Sequence, residues 1–348
     1  MKLRVAILGV GRNGSSFVEH YQNHPQVSEV VIVDPNPKLR ERFKGSTKVA
    51  AMYDRAEDFF DRDGADVVSI NTPSDLHARF FLQAAKAGSH IFVEKPLANT
   101  QADIEAMLEA AKRNQGKKMM VGQNYRQESY NPQVKKLVED GAVGEVVSLN
   151  MGYVTDYVYA WQTEPASAFG NQMAFVRTVR PMIEGACHLI DLANWLTGAH
   201  PATVFARRRA MQADRCPTDW LGAMFHYSDQ TLVHIDACWA AVGPIKEQYG
   251  TEVYGTEGTI RDGRLFRYKS KEYHLRQFEE RMMDRDQQRH HSFDLEVRNF
   301  IESIVEDKPV PVTMAEGANA AIGAIAAEES AQRQQAVPVP YYANGNEI

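Results

Sequence analysis

The chain reads as an α/β protein in two parts: a doubly wound parallel sheet, then an α+β domain on an open, largely antiparallel sheet. Three features predict this. Before about residue 123, runs that are apolar throughout alternate with amphipathic stretches, as in parallel strands covered by helices on both faces. Beyond Gly198, apolar residues recur at every second position with no helices between, the period of a sheet wet on one face. Joining the first apolar run to the first amphipathic stretch is Gly9-x-Gly11-x-x-Gly14, a tight turn from strand to helix.

Taken in order, residues 3–8 form the first strand, and Phe17 and Val18 begin a helix that ends near His24-Pro25. Residues 30–33 are the second strand, closed by Asp34-Pro35, with a short helix at 37–44 and a brief strand at 49–52. Residues 67–70 form the fourth strand, breaking at Asn71-Thr72-Pro73. The following helix ends at Gly88, because glycine accepts the left-handed backbone of a helix C-terminus. A strand at 91–93, a helix at 100–114 and a strand at 119–121 complete the first domain, residues 1–123. The second domain, residues 124–348, opens with a helix at 130–139, a strand at 145–153 and a loop rich in aromatics. A helix from about Pro181 to Leu196 follows, then strands near 203–211, 220–227, 231–240 and 248–255 and a hairpin at Asp262-Gly263. Helices at 291–305 and 314–334 close the chain.

Composition excludes several classes. At 348 residues there is chain enough for two cores, and 44% hydrophobic with 24% charged residues is ordinary for a globular protein. A net charge of −6 leaves no basic footprint, so nucleic acid is not an expected partner. No run reaches the roughly 20 apolar residues of a membrane helix. The start, MKLRVAILGVG, runs directly into the glycine turn with no cleavage site, so it is read as a strand and the protein is expected in the cytoplasm. Cys187, Cys216 and Cys238 are sparse and lack C-x-x-C spacing, which favours reduced thiols over a disulfide scaffold or zinc site. His290-His291 lack a second cluster of ligands, so no metal is expected.

The motifs that carry chemistry lie at strand ends. Asp34 stands 20 residues beyond Gly14, where a carboxylate accepts hydrogen bonds from an adenosine ribose. The glycines let the backbone approach a pyrophosphate, which the free N–H groups of a helix N-terminus stabilise. Gly9, Gly11, Arg12 and Asn13 are therefore cofactor-binding candidates, although a purely structural turn would also use the glycines. Asp34 would repel a 2′-phosphate and favour NAD over NADP, a preference that Arg12 would blunt. Asn71, Thr72, Pro73 and His77 follow the fourth strand, beyond whose carboxyl end a ligand would lie; His77 reads equally as a plain helix-face histidine. Glu94-Lys95-Pro96 occupies the matching place on the fifth strand. A lysine there is either solvated or, beside a nicotinamide, a donor to a developing alkoxide. Glu94 would hold that ammonium or touch the cofactor. In the second domain, Glu184, His188 and Asp191 fall on one face of the expected helix. Histidine titrates in the range needed to accept a hydroxyl proton, with Glu184 to orient it; a solvent-facing i,i+4 pair is the alternative. Asp191 is read as structural.

In this order the motifs resemble the Gfo/Idh/MocA oxidoreductase family. The resemblance runs from Val5 to about Tyr341 and rests on GVGRNG at 9–14, TPSDLH at 72–77, EKPL at 94–97, GQNYR at 122–126, GAVGEV at 141–146, EGACHLIDLANWLTG at 184–198 and GTEGTI at 255–260. It implies a Rossmann domain with NAD, a second sheet often used to form homodimers or homotetramers, and oxidation of a sugar or cyclitol hydroxyl. It also implies that Gln123 joins the cofactor contacts, that Lys95 is the catalytic lysine and that His188 is the proton-transferring histidine. Its acidic partner falls at Glu184, where many dehydrogenases of the family carry Asp. The expected substrate contacts are Lys95, Glu184 and His188 with Arg126, Tyr153 and Trp161; Tyr125, Tyr157, Tyr159, Arg177 and Arg180 are further candidates, the aromatic rings reading equally as core packing and Arg177 and Arg180 equally as exposed side chains. Two alternatives share the cofactor residues: NAD-assisted glycoside cleavage, and a non-catalytic nucleotide or sugar sensor.

Overall fold

The computed structural model describes residues 2–127, 130–155, 180–212, 216–241, 251–268, 278–282 and 292–343. Contacts divide the chain into two compact units. The first takes in the chain through Asn124, the segment Ser292–Ala321 and the end from Tyr342; the second comprises Tyr125–His291 and Ile322–Tyr341. The division follows chain order up to residue 291, and packing then returns Ser292–Ala321 to the first unit.

The first unit is a six-stranded parallel sheet in the order β3-β2-β1-β4-β5-β6. Its strands are β1 Leu3–Leu8, β2 Val27–Val33, β3 Val49–Tyr53, β4 Val67–Ile70, β5 His90–Glu94 and β6 Met119–Gly122. The interleaved helices are α1 Arg12–Asn23, α2 Pro37–Glu41, α3 Ala56–Arg62, α4 His77–Lys86 and α5 Gln101–Arg113. The central strands can be apolar at every position because both faces are covered: all four residues of β4 are buried. Phe17 of α1 packs on Phe92 of β5 and on Phe293, with ring centres 5.0 and 4.9 Å apart, so the helix Phe293–Val305 shares this core. Helix α3 has no counterpart in the sequence reading. Its apolar face is short, with only Ala56 and Phe59 buried, below the length at which periodicity stands out. Strand order reverses between β1 and β4, and ligands of such sheets sit beyond the strand ends at that switch.

In the second unit, α6 (Tyr130–Glu139), α7 (Pro181–Glu184) and α8 (Cys187–Thr197) accompany a sheet that has nine strands among the described residues. Its centre is β7 (Val146–Val154), paired in parallel with β10 (Leu232–Cys238); β10 pairs antiparallel with β9 (Cys216–Tyr227), and β9 with β8 (Pro201–Gln212). Along β7 to β10 the inward positions are apolar and buried, as Leu149, Val204, Phe225 and Val233 show. The expected hairpin is present, joining Gly258–Arg261 to Arg264–Tyr268 through Asp262 and Gly263, both at positive φ.

The helix expected from Pro181 to Leu196 is in fact two, interrupted at Gly185-Ala186. The break falls at a glycine, the residue after proline least suited to a helix interior. A Cβ on Gly185 would come within 2.7 Å of the Tyr153 ring and 3.0 Å of the Pro181 carbonyl, so no larger residue fits there. Glu184 and His188 therefore lie on separate helices.

Candidate functional site

The glycine turn is built from close backbone approaches. Gly9 has φ of +83°, and a Cβ there would lie 2.8 Å from the Asn71 carbonyl oxygen; a Cβ on Gly14 would run into the Gly9 carbonyl. Gly11 differs, because nothing lies within 4 Å of the space its side chain would fill. Helix α1 starts here with no side-chain cap and no acid in its first turn, which leaves its N-terminal N–H groups to an anion. Asn13 is half-buried and Arg12 exposed at this edge.

Asp34 is buried at the end of β2, accepting hydrogen bonds from the Val10 N–H (2.9 Å) and the Asn36 N–H (2.8 Å). Each oxygen keeps a lone pair for a ribose hydroxyl. Two arginines stand beside this acid: Arg40 donates to the Asp34 carbonyl and Arg42 to Ser15 Oγ at 3.3 Å. The sequence offered no sign of them beyond basic residues following Asp34. An open cradle at Gly11, an uncapped helix end and an oriented carboxylate fit a dinucleotide.

Beyond β4, Asn71 is tied to β1 through its N–H, which donates to the Leu8 carbonyl at 2.8 Å. Thr72 and Pro73 continue this turn. His77 is 1% exposed, with Nδ1 2.8 Å from the Pro96 carbonyl and Nε2 3.0 Å from the Thr72 carbonyl. Burial holds its pKa below the ordinary value of 6.5, opposed by backbone hydrogen bonds to Pro96, Thr72 and Leu97 and reinforced by the charge of Lys95. Beyond β5, buried Glu94 accepts the Lys95 N–H at 3.0 Å. Lys95 is half-buried, and its bond to Pro96 is cis. Gln123, just past β6, is buried with no hydrogen-bond partner for its amide among the described residues.

In the second unit His188 is 5% exposed, and the Tyr125 ring stacks on it with centres 4.2 Å apart and planes 5° from parallel. The next residue, Arg126, grips Asp191 one turn along α8: Nε and Nη2 each donate to a carboxylate oxygen at 2.7 Å. Both partners are buried. The guanidinium carbon also lies 6.0 Å from the centre of the Trp195 ring, against which Lys135 stands at 5.7 Å. Thus Tyr125 and Arg126 hold consecutive parts of the α8 face. Spacing alone could not show this, since Arg126 and Asp191 are 65 residues apart. Glu184 on α7 is buried, and Tyr153 is 7% exposed against Gly185. Arg180 pairs with Glu328 at 3.1 Å. Tyr157, Tyr159, Trp161, Arg177 and His290-His291 lie outside the described residues. Among the described residues no group of three or more His, Cys, Asp or Glu side chains could hold a metal ion. No helix among them is long and apolar enough to cross a membrane.

Comparison with known proteins identifies the family. Residues 3–123 match the model of an oxidoreductase family with an NAD-binding Rossmann fold, and residues 132–261 match the Gfo/Idh/MocA C-terminal domain. The chain is 28% identical over 310 residues to a levoglucosan dehydrogenase of Pseudarthrobacter phenanthrenivorans, covering 78% of this chain and 75% of that protein. It is 26% identical over 208 residues to an inositol 2-dehydrogenase of Salmonella typhimurium, covering 59% of this chain and 57% of the other. Among solved structures, a levoglucosan dehydrogenase in complex with NADH and levoglucosan superposes with a TM-score of 0.80 at 25% identity, covering 98% of this chain and 100% of that one. The myo-inositol 2-dehydrogenase of Lactobacillus plantarum has the same fold, with a TM-score of 0.81 at 22% identity and coverages of 98% and 100%. A glycine cradle beside a buried Asp34, an EKP turn after the fifth strand, and family matches over both parts lead to one conclusion: the chain belongs to the Gfo/Idh/MocA family of NAD-binding oxidoreductases.

Proposed function

We propose that this oxidoreductase is an NAD-dependent dehydrogenase that oxidises a CH–OH carbon of a sugar, sugar derivative or cyclitol. The observation that carries the reading is Lys95 at the end of β5, in a unit whose glycine cradle and Asp34 fit a dinucleotide. The relatives named above act, by their names, on levoglucosan and inositol. Bound NAD+ supplies the hydride acceptor. The chain's own residues do the rest. Asp34 selects a free ribose 2′-hydroxyl, because its charge would repel a 2′-phosphate. His188 accepts the proton of the substrate hydroxyl on a ring nitrogen. The face of the Tyr125 ring stabilises the imidazolium that forms. Lys95 Nζ donates a hydrogen bond to the oxygen as negative charge develops, an interaction stronger in the transition state than in the ground state. The product is the ketone or lactone, and the proton leaves through His188. Glu184, buried at the end of α7, orients groups around this exchange.

The test is a panel of sugars and cyclitols, levoglucosan and myo-inositol among them, offered with NAD+ or NADP+ while reduced cofactor is followed by absorbance. Net NADH formation is expected, with NADP+ the poorer acceptor. Sugar release from glycosides without net NADH would instead favour NAD-assisted cleavage. Lys95→Ala and His188→Ala should each lower kcat at least about a hundredfold while NAD+ affinity, measured by calorimetry, stays within about threefold. Near-wild-type kcat in either variant would remove that residue from the mechanism.

A further inference from the structure

The strands β4 and β5 run side by side only to Ile70 and Val93. Beyond that point no ladder holds their two turns together, yet one turn carries Asn71 and Thr72 at the glycine cradle and the other carries Lys95. His77 spans the gap, its ring nitrogens 2.8 and 3.0 Å from the carbonyl oxygens of Pro96 and Thr72. Both ring nitrogens face backbone and the residue is 1% exposed, so direct contact with a ligand is not its task. A second tie joins the same turns, from Asn99 Nδ2 to Ser74 Oγ at 2.9 Å. On the far side, the space a Gly9 Cβ would need is filled by the Asn71 carbonyl at 2.8 Å. The contacts are therefore continuous from the glycine turn through Asn71-Thr72 to His77, Pro96 and Lys95.

We infer that His77 is a positioning residue for Lys95, a buried strut that ties the turn after β4 to the turn after β5 and so sets the lysine against the glycine cradle. The inference rests on the catalytic reading of Lys95 for its functional consequence, though not for its structural one. A neutral imidazole donates to one carbonyl only, and the imidazolium donates to both. A phenyl ring is somewhat larger, fills the site without a polar atom and donates to neither.

Amide hydrogen exchange tests the strut without any turnover. In His77→Phe the amides of Lys95, Leu97 and Ala98, and those of Asn71, Thr72 and Ser74, should exchange at least about tenfold faster than in the wild type, while Ile91 to Val93 in β5 keep their rates. His77→Gln, whose carboxamide nitrogen can still donate to one of the two turns, should lie between. Where the polyol panel yields a substrate, kcat in His77→Phe should fall about tenfold and the KM for that polyol change by less than about twofold, as for a misplaced catalytic group. His77→Gln should recover part of kcat. Turn amides within about twofold of wild-type rates in both variants would overturn the inference. So would a rise that reaches β5 equally in both variants, which would make His77 an ordinary core residue. A wild-type protein inactive on every polyol would remove the dehydrogenase reading and leave the exchange result standing; an active enzyme with unchanged exchange would remove the strut alone.

Discussion

Arg126 and Asp191 each gave up water for the other, with two hydrogen bonds of 2.7 Å and almost no exposure on either side. Removing one partner strands a buried charge, so Arg126→Met or Asp191→Leu alone should cost about 3–5 kcal/mol in urea unfolding. The double variant should recover most of that loss, since an apolar pair leaves no charge uncompensated. Equal losses in single and double variants would show that the pair is not the source. The consequence reaches His188, because Arg126 is chained to Tyr125, whose ring lies flat on the imidazole. The motif GQNYR made Tyr125 and Arg126 visible as interesting residues and placed Arg126 among substrate contacts. Its bond to Asp191 was illegible, because a contact across 65 residues leaves no period in the chain.

Elements decide what each glycine does. The turn into α1 holds three, and the structure separates their roles. Gly14 is demanded by packing, whereas Gly11 opens on empty space with φ of −64°, a backbone angle any residue adopts. Gly11→Ala should therefore leave Tm within about 2 °C of wild type, as substitutions away from packed features do, yet weaken NAD+ binding at least about tenfold by filling the pyrophosphate cradle. Gly14→Ala should lower both. An unchanged NAD+ affinity in Gly11→Ala, read by calorimetry, would place the pyrophosphate elsewhere. The same reasoning applies to the glycine at the break between α7 and α8. Residues 181–196 carry a helical pattern, and the interruption falls at Gly185, where Tyr153 of β7 leaves no room for a Cβ. Strand-borne features were legible because position along a strand is position in the sheet: β4 and β5 end where Asn71 and Lys95 were expected.

Over the whole molecule, three histidines bind stability to pH in one direction. His24, His77 and His90 all belong to the first unit, and burial pushes each pKa below the ordinary value of 6.5. Between the folded and unfolded values the unfolded chain holds more protons, so stability must rise with pH there. It is fully present above the unfolded value and is lost as pH falls below it. Tm should accordingly drop between about pH 7 and pH 5.5, and a flat or rising Tm over that range would contradict the burial of these rings. The sequence by itself determined the two-part plan, the parallel and antiparallel sheets, the glycine turn with Asp34, and the strand-end placement of Lys95. These follow from periodicity and from turn chemistry, which act over a few residues and are written locally. Tertiary structure alone decided what each polar group touches: His77 on two backbone carbonyls, Arg126 on Asp191, Tyr125 on His188, and the return of residues 292–321 to the first unit. Such partners are chosen by desolvation. A buried donor or charge must find an acceptor wherever the fold delivers one, and that address depends on the packing of segments far apart in the chain.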